Sequence, residues 1–92
     1  MEFVVMYSMR EGVDRSRLLE VYPRHKAYFE AFRAAGGGLI ALGPFQTADP
    51  AGGSMGIFTS RQDAERFIAE DPFATEGLAD PRILEWNAVR FD

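Results

Sequence analysis

Two ionisable side chains stand where the pattern asks for apolar ones. His25, the only histidine in the chain, lies on the stripe Leu18, Tyr22, His25, Phe29, Phe32. Its members are three or four residues apart, the spacing that gathers side chains on one helix face. Asp71 continues a second stripe, Ala64, Phe67, Ile68, Asp71, with the same period. An inward carboxylate is costly unless it is paired, and a histidine near neutral pH can take or give a proton. Together the two can do acid–base chemistry. His25 would move the proton, and Asp71 would orient the ring and stabilise its protonated form. Each also has a plain structural reading. A lone histidine on an apolar stripe can be a hydrogen-bonded core residue, and Asp71-Pro72 can simply stop a helix.

Other candidates are weaker. Ser54 follows Gly52-Gly53 and opens a strand. It can bond a ligand at a pocket mouth or only cap a turn, and no strained elbow motif marks it as a nucleophile. Gly43-Pro44 shapes a strand end, where the Phe45 amide can meet a ligand, and Phe73 is a core residue or a pocket wall. Arg10 and Arg24 are solvated or bind an acidic substrate. No metal or cofactor is expected: there is one histidine, no cysteine and no acid cluster at ligand spacing. Gly36-Gly37-Gly38 ends a helix and so is not a phosphate cradle.

The elements that must carry these residues read as follows. Phe3 to Ser8 is a strand apolar on both faces, hence central. Asp14 or Ser16 caps a helical segment over 16–35, and Pro23 breaks it. The expectation is a short piece ending near Tyr22 and a main helix restarting at Pro23, which places His25 in a first turn facing the positive end of the helix dipole. Leu39 to Leu42 is a second strand, 46–53 a loop, and Ser54 to Thr59 a third strand. Ser60-Arg61-Gln62-Asp63 is a capping box for a second helix to about Glu70. Pro72 to Gly77 adds a turn, and Arg82 to Phe91 is the last strand.

That order, β-α-β-β-α-β over a single domain spanning 1–92, gives an α+β, ferredoxin-like fold: a four-stranded antiparallel sheet with two helices on one face. The helix-free face keeps apolar residues from the strands, with Met55, Ile57 and Trp86 among them, and a surplus of that kind points to a homodimer through that face. A chain of 92 residues gains from such burial. The formal charge of −4 and a third strand without basic residues argue against nucleic acid. The acidic, short-run start, Met1-Glu2-Phe3-Val4-Val5, fits neither a signal peptide nor a membrane span, and with no cysteine the expected location is cytoplasmic.

Pro23-x-His25, Ala41-Leu42-Gly43-Pro44, Gly53-Ser54 and Ala69-Glu70-Asp71-Pro72-Phe73 with Gly77-Leu78, in this order, resemble the YCII-related (YciI-like) family over nearly the whole chain. The resemblance implies a dimeric α+β barrel type of ferredoxin fold and an active site on a histidine–aspartate pair, here His25 and Asp71. It also implies kinship with dehydrochlorinase-like and muconolactone-isomerase-like proteins that act on small ring compounds. The expected function is acid–base chemistry, elimination or isomerisation (a lyase or an isomerase), on a small molecule that is bound with help from Ser54, Gly43, Pro44, Phe45 and Phe73. The alternatives are a non-catalytic ligand-binding or dimerisation module and a purely structural domain.

Overall fold

A computed structural model describes residues 1–47 and 52–91. Part of the loop expected over 46–53, at 48–51, lies outside the described residues. The elements are β1 (Glu2–Met9), α1 (Arg15–Ala34), β2 (Leu39–Pro44), β3 (Ser54–Phe58), α2 (Arg61–Glu70), α3 (Pro72–Thr75) and β4 (Ala79–Trp86). The strands form one antiparallel sheet in the order β2-β3-β1-β4. The two long helices lie on one face of it.

The period-2 alternation of β1 decides what each face buries. Phe3, Val5 and Tyr7 join the core with Leu39, Phe58, Ala64 and Phe67. Phe67 of α2 is its aromatic hub, with ring centroids 5.1 Å from Phe58 and 5.3 Å from Phe32. The alternate residues, Val4 and Met6, pair with Ile57 and Met55 on one side and with Leu84 and Arg82 on the other, so they lie on the helix-free face. Ser60 caps α2 by accepting from the Asp63 amide at 3.1 Å. Asp63 does not close the box; its carboxylate accepts instead from the Gly38 amide at 2.9 Å, tying the chain after α1 to the start of α2. A β-carbon at Gly38 would stand 1.9 Å from the Thr59 hydroxyl, so only glycine allows that approach. Gly36, at φ 91°, turns the chain out of α1.

Three expectations are corrected. The sheet is not closed into a barrel: β2 and β4 are free edges separated by β3 and β1. A barrel that can hold its own interior side chains takes about eight strands, and four leave two edges. On the β4 edge, Pro81 gives up a ladder donor and Asp80 and Arg82 are exposed, features that blunt further pairing.

The second correction is α1, which is one continuous 20-residue helix with Pro23 inside it. The carbonyl deprived of its bond is that of Leu19, and both Leu19 and Pro23 are exposed, so water can take the place of the missing donor. His25 is therefore well inside α1, and no helix-end dipole acts on it.

Third, β4 starts at Ala79 and stops at Trp86, earlier than the pattern suggests, because an edge strand accommodates Pro81 opposite Tyr7. No helix among the described residues is long and apolar enough to cross a membrane.

Candidate functional site

The site forms where α1, the α2–α3 corner and β1 meet. Asp71 ends α2 and begins α3. Its extended backbone (φ −68°, ψ 126°) is what the following Pro72 favours. This corner turns the carboxylate inward until it is 0% exposed. Oδ1 meets His25 Nδ1 at 2.6 Å, and Oδ2 accepts from the Tyr7 hydroxyl at 2.6 Å. The Phe73 amide also points to Oδ1, at 3.5 Å. Three donors thus surround one buried carboxylate, as a charge in that position requires.

His25 is 6% exposed and its plane is fixed by aromatic neighbours. Phe73 stacks on it at 4.1 Å between centroids with 8° between planes, and Phe29 meets it edge-on at 5.2 Å. Its Nδ1 is occupied by Asp71. No buried side-chain nitrogen or oxygen among the described residues lacks a partner, and Nε2 has no partner among them, so Nε2 is open to the cavity that His25 lines. With Nδ1–H donating to the Asp71 carboxylate, the Nε2 lone pair is the accessible base.

The cavity has a volume of about 430 Å³. It lies between the N-terminal part of α1, which supplies Arg15, Leu18, Tyr22 and His25, and the strands β1, β2 and β3, while further along α1 Phe32 closes onto Phe58 and Phe67. Val5, Phe29, Phe58 and Phe67 give it apolar walls, and its polar side chains are Tyr7, Arg15, Tyr22, His25 and Ser54. Burial, together with the negative charge of Asp71, pushes the Tyr7 phenol far up from its ordinary value, so it is a fixed donor and not an acid at physiological pH.

Of the residues singled out from sequence, His25, Ser54, Gly43, Pro44 and Phe73 all line this cavity and Asp71 stands behind His25. Phe45 does not line it; it is 40% exposed, and its amide donates to the Gly53 carbonyl at 2.9 Å, so neither ring nor amide is aimed at a ligand there. Arg10 pairs with Asp80 and Arg24 with Glu76 at the surface. Arg17 joins Glu76 as well, at 3.0 Å, strapping the end of α3 to α1. The two arginines hold the Glu76 carboxyl below its usual range. Tyr7 carries no mark of this role in the sequence, because a tyrosine in an apolar strand reads as core; the only hint is that a buried phenol needs a partner.

The YCII-related domain model matches residues 1–87. No curated protein matches the chain. Among solved structures, 5-chloro-2-hydroxyhydroquinone dehydrochlorinase (TftG) from Burkholderia phenoliruptrix AC1100, in complex with 2,5-dihydroxybenzoquinone, is 25% identical with a TM-score of 0.72, the match covering 95% of this chain and 94% of that one. SnoaB, a cofactor-independent oxygenase from Streptomyces nogalater, is 16% identical with a TM-score of 0.54 over 98% of this chain and 93% of that one; at that identity the likeness is one of fold.

Proposed function

The chain belongs to the YCII-related domain family, and from that premise we propose that it is a small-molecule enzyme that eliminates or isomerises a ring compound by acid–base chemistry at His25. One observation carries the reading: His25 is pinned at Nδ1 by a buried carboxylate and free at Nε2, facing an apolar cavity. In an elimination, Nε2 takes a proton from the substrate while the leaving group departs with its bonding pair. Asp71 then faces the imidazolium across 2.6 Å, where low polarity strengthens the attraction. Tyr7 keeps the second carboxylate oxygen from turning away. Ser54 is positioned to hydrogen-bond the ring's substituents, and Phe73 holds the imidazole plane. The likeness to a dehydrochlorinase solved with a quinone bound supports a flat oxygenated ring as substrate.

Turnover of 5-chloro-2-hydroxyhydroquinone, followed as chloride release, tests the proposal. The wild-type chain is expected to release chloride and His25→Ala to lose on the order of 10² to 10⁴ in rate with the ring still bound. If the variant loses affinity alone, the cavity belongs to a ligand-binding module.

We further propose that two copies pair through the helix-free sheet face, which carries Met6, Met55, Ile57, Leu84 and Trp86.

A further inference from the structure

Apart from His25, the only ionisable nitrogen on the cavity wall is the guanidinium of Arg15. It has no carboxylate partner among the described residues, whereas Arg10, Arg17, Arg24, Arg61, Arg66 and Arg90 each have one. The neighbouring carboxylate, Asp14, is engaged elsewhere: its Oδ1 accepts from the Ser16 hydroxyl at 2.7 Å and from the Arg17 amide at 3.0 Å, capping α1. Arg15 and His25 are ten residues apart on α1, which is about 15 Å along the helix axis. Between them the same wall is formed by Leu18 and Tyr22. One apolar wall of the cavity thus carries an accepting nitrogen at the buried His25 and, at the exposed Arg15, a planar cation with no carboxylate partner among the described residues.

We infer that the cavity takes a hydroxyaryl carboxylate: ring hydroxyl on His25 Nε2, ring along Leu18, Tyr22, Phe29 and Phe73, and carboxylate on Arg15. The inference rests on the proposed reading of the cavity as the site where His25 acts. An accepting Nε2 calls for an acidic O–H. The guanidinium fork matches a carboxylate in two parallel hydrogen bonds, and beside an apolar wall those bonds are less screened than in water. Ten residues of helix between the two groups favour a fused or extended ring over a single small one.

The test is a fluorescence titration of wild type, Arg15→Gln and His25→Ala with 6-hydroxy-2-naphthoate and with its neutral amide, 6-hydroxy-2-naphthamide. Wild type is expected to bind the acid about tenfold or more tighter than the amide. Arg15→Gln should bring the two within about threefold. Equal binding of acid and amide by wild type, or an acid preference retained in Arg15→Gln, overturns the assignment, and so does failure of wild type to bind either probe. Amide binding that weakens in His25→Ala with no gain from the carboxylate overturns the Arg15 assignment and leaves the His25 site standing. Arg15 is exposed at the start of a capped helix, so its replacement does not threaten the fold.

Discussion

Tyr7 matters to the site because of what its hydroxyl does to Asp71. A carboxylate held by one donor can rotate; held at both oxygens, by Tyr7 and His25 at 2.6 Å each, it cannot turn without leaving a buried donor unpaired. Burial and the Asp71 charge also raise the Tyr7 phenol far above its ordinary 10.0. Above that pH the unfolded chain releases the proton and the folded chain keeps it. The stabilisation is therefore whole below pH 10 and is lost as the pH rises, by up to about 1.4 kcal/mol per unit. Tyr7→Phe should lose roughly 1–3 kcal/mol at neutral pH, the worth of a hydrogen bond to a charged group. Its stability should then fall less steeply than that of wild type between about pH 10 and 11.5. Tyr28, pushed up to about 12 chiefly by burial, is present in both proteins and cancels. Denaturant unfolding at several pH values measures this, and parallel slopes would remove Tyr7 from the network. His25 and Asp71 could be found from sequence because a charge on an apolar stripe breaks a pattern. Tyr7 could not, because a phenol fits the strand pattern and its need for a partner shows only once the partner is in place.

The elements show the same contrast. The amphipathic period of α2, its serine cap and the glycines after α1 are local signals with local causes, and they mark boundaries within a residue or two. Pro23 is a local signal with a non-local answer. Whether a proline breaks a helix depends on whether the orphaned carbonyl can be solvated, and here Leu19 is 59% exposed. The start of β4 depends on its being an edge strand, which only the strand order decides. The cavity has no signature in the sequence, because its wall is assembled from α1, the α2–α3 corner and three strands far apart in the chain. If α1 tolerates Pro23 only because that face is wet, Pro23→Ala should restore the bond to the Leu19 carbonyl. An interior proline costs about 3 kcal/mol, and the extra freedom of the unfolded alanine chain returns about 0.4–1 kcal/mol of that. The net expectation is a variant more stable by about 2 kcal/mol in equilibrium unfolding. A less stable variant would mean that the ring of Pro23 itself supports the helix.

The whole molecule has one well-covered sheet face and one poorly covered one. On the bare face Leu84 and Trp86 are 43% and 46% exposed, beside the half-buried Met6, Met55 and Ile57. Glu2, on the same face by its pairing with Trp86, is buried and held by Arg90, so its charge does not oppose apolar contact there. Apolar surface of this kind on a small domain is a candidate for association, and the proposed pairing of two copies uses it. Sedimentation at micromolar concentration should give twice the 10.3 kDa chain mass. On the proposed pairing, Leu84→Glu puts a charge among the apolar residues of the paired faces, where desolvating it is costly. It should shift the equilibrium toward monomer by at least a hundredfold, about 2.7 kcal/mol. The emission of Trp86, the only tryptophan, should move to longer wavelength as its ring returns to solvent. His25, Asp71, Tyr7 and Ser54 lie on the helix-covered side of the sheet, so His25-dependent turnover should survive in the monomer. A wild-type chain that sediments as a monomer at these concentrations would mean that this face is tolerated in water, with Leu84 and Trp86 no more than scattered surface residues.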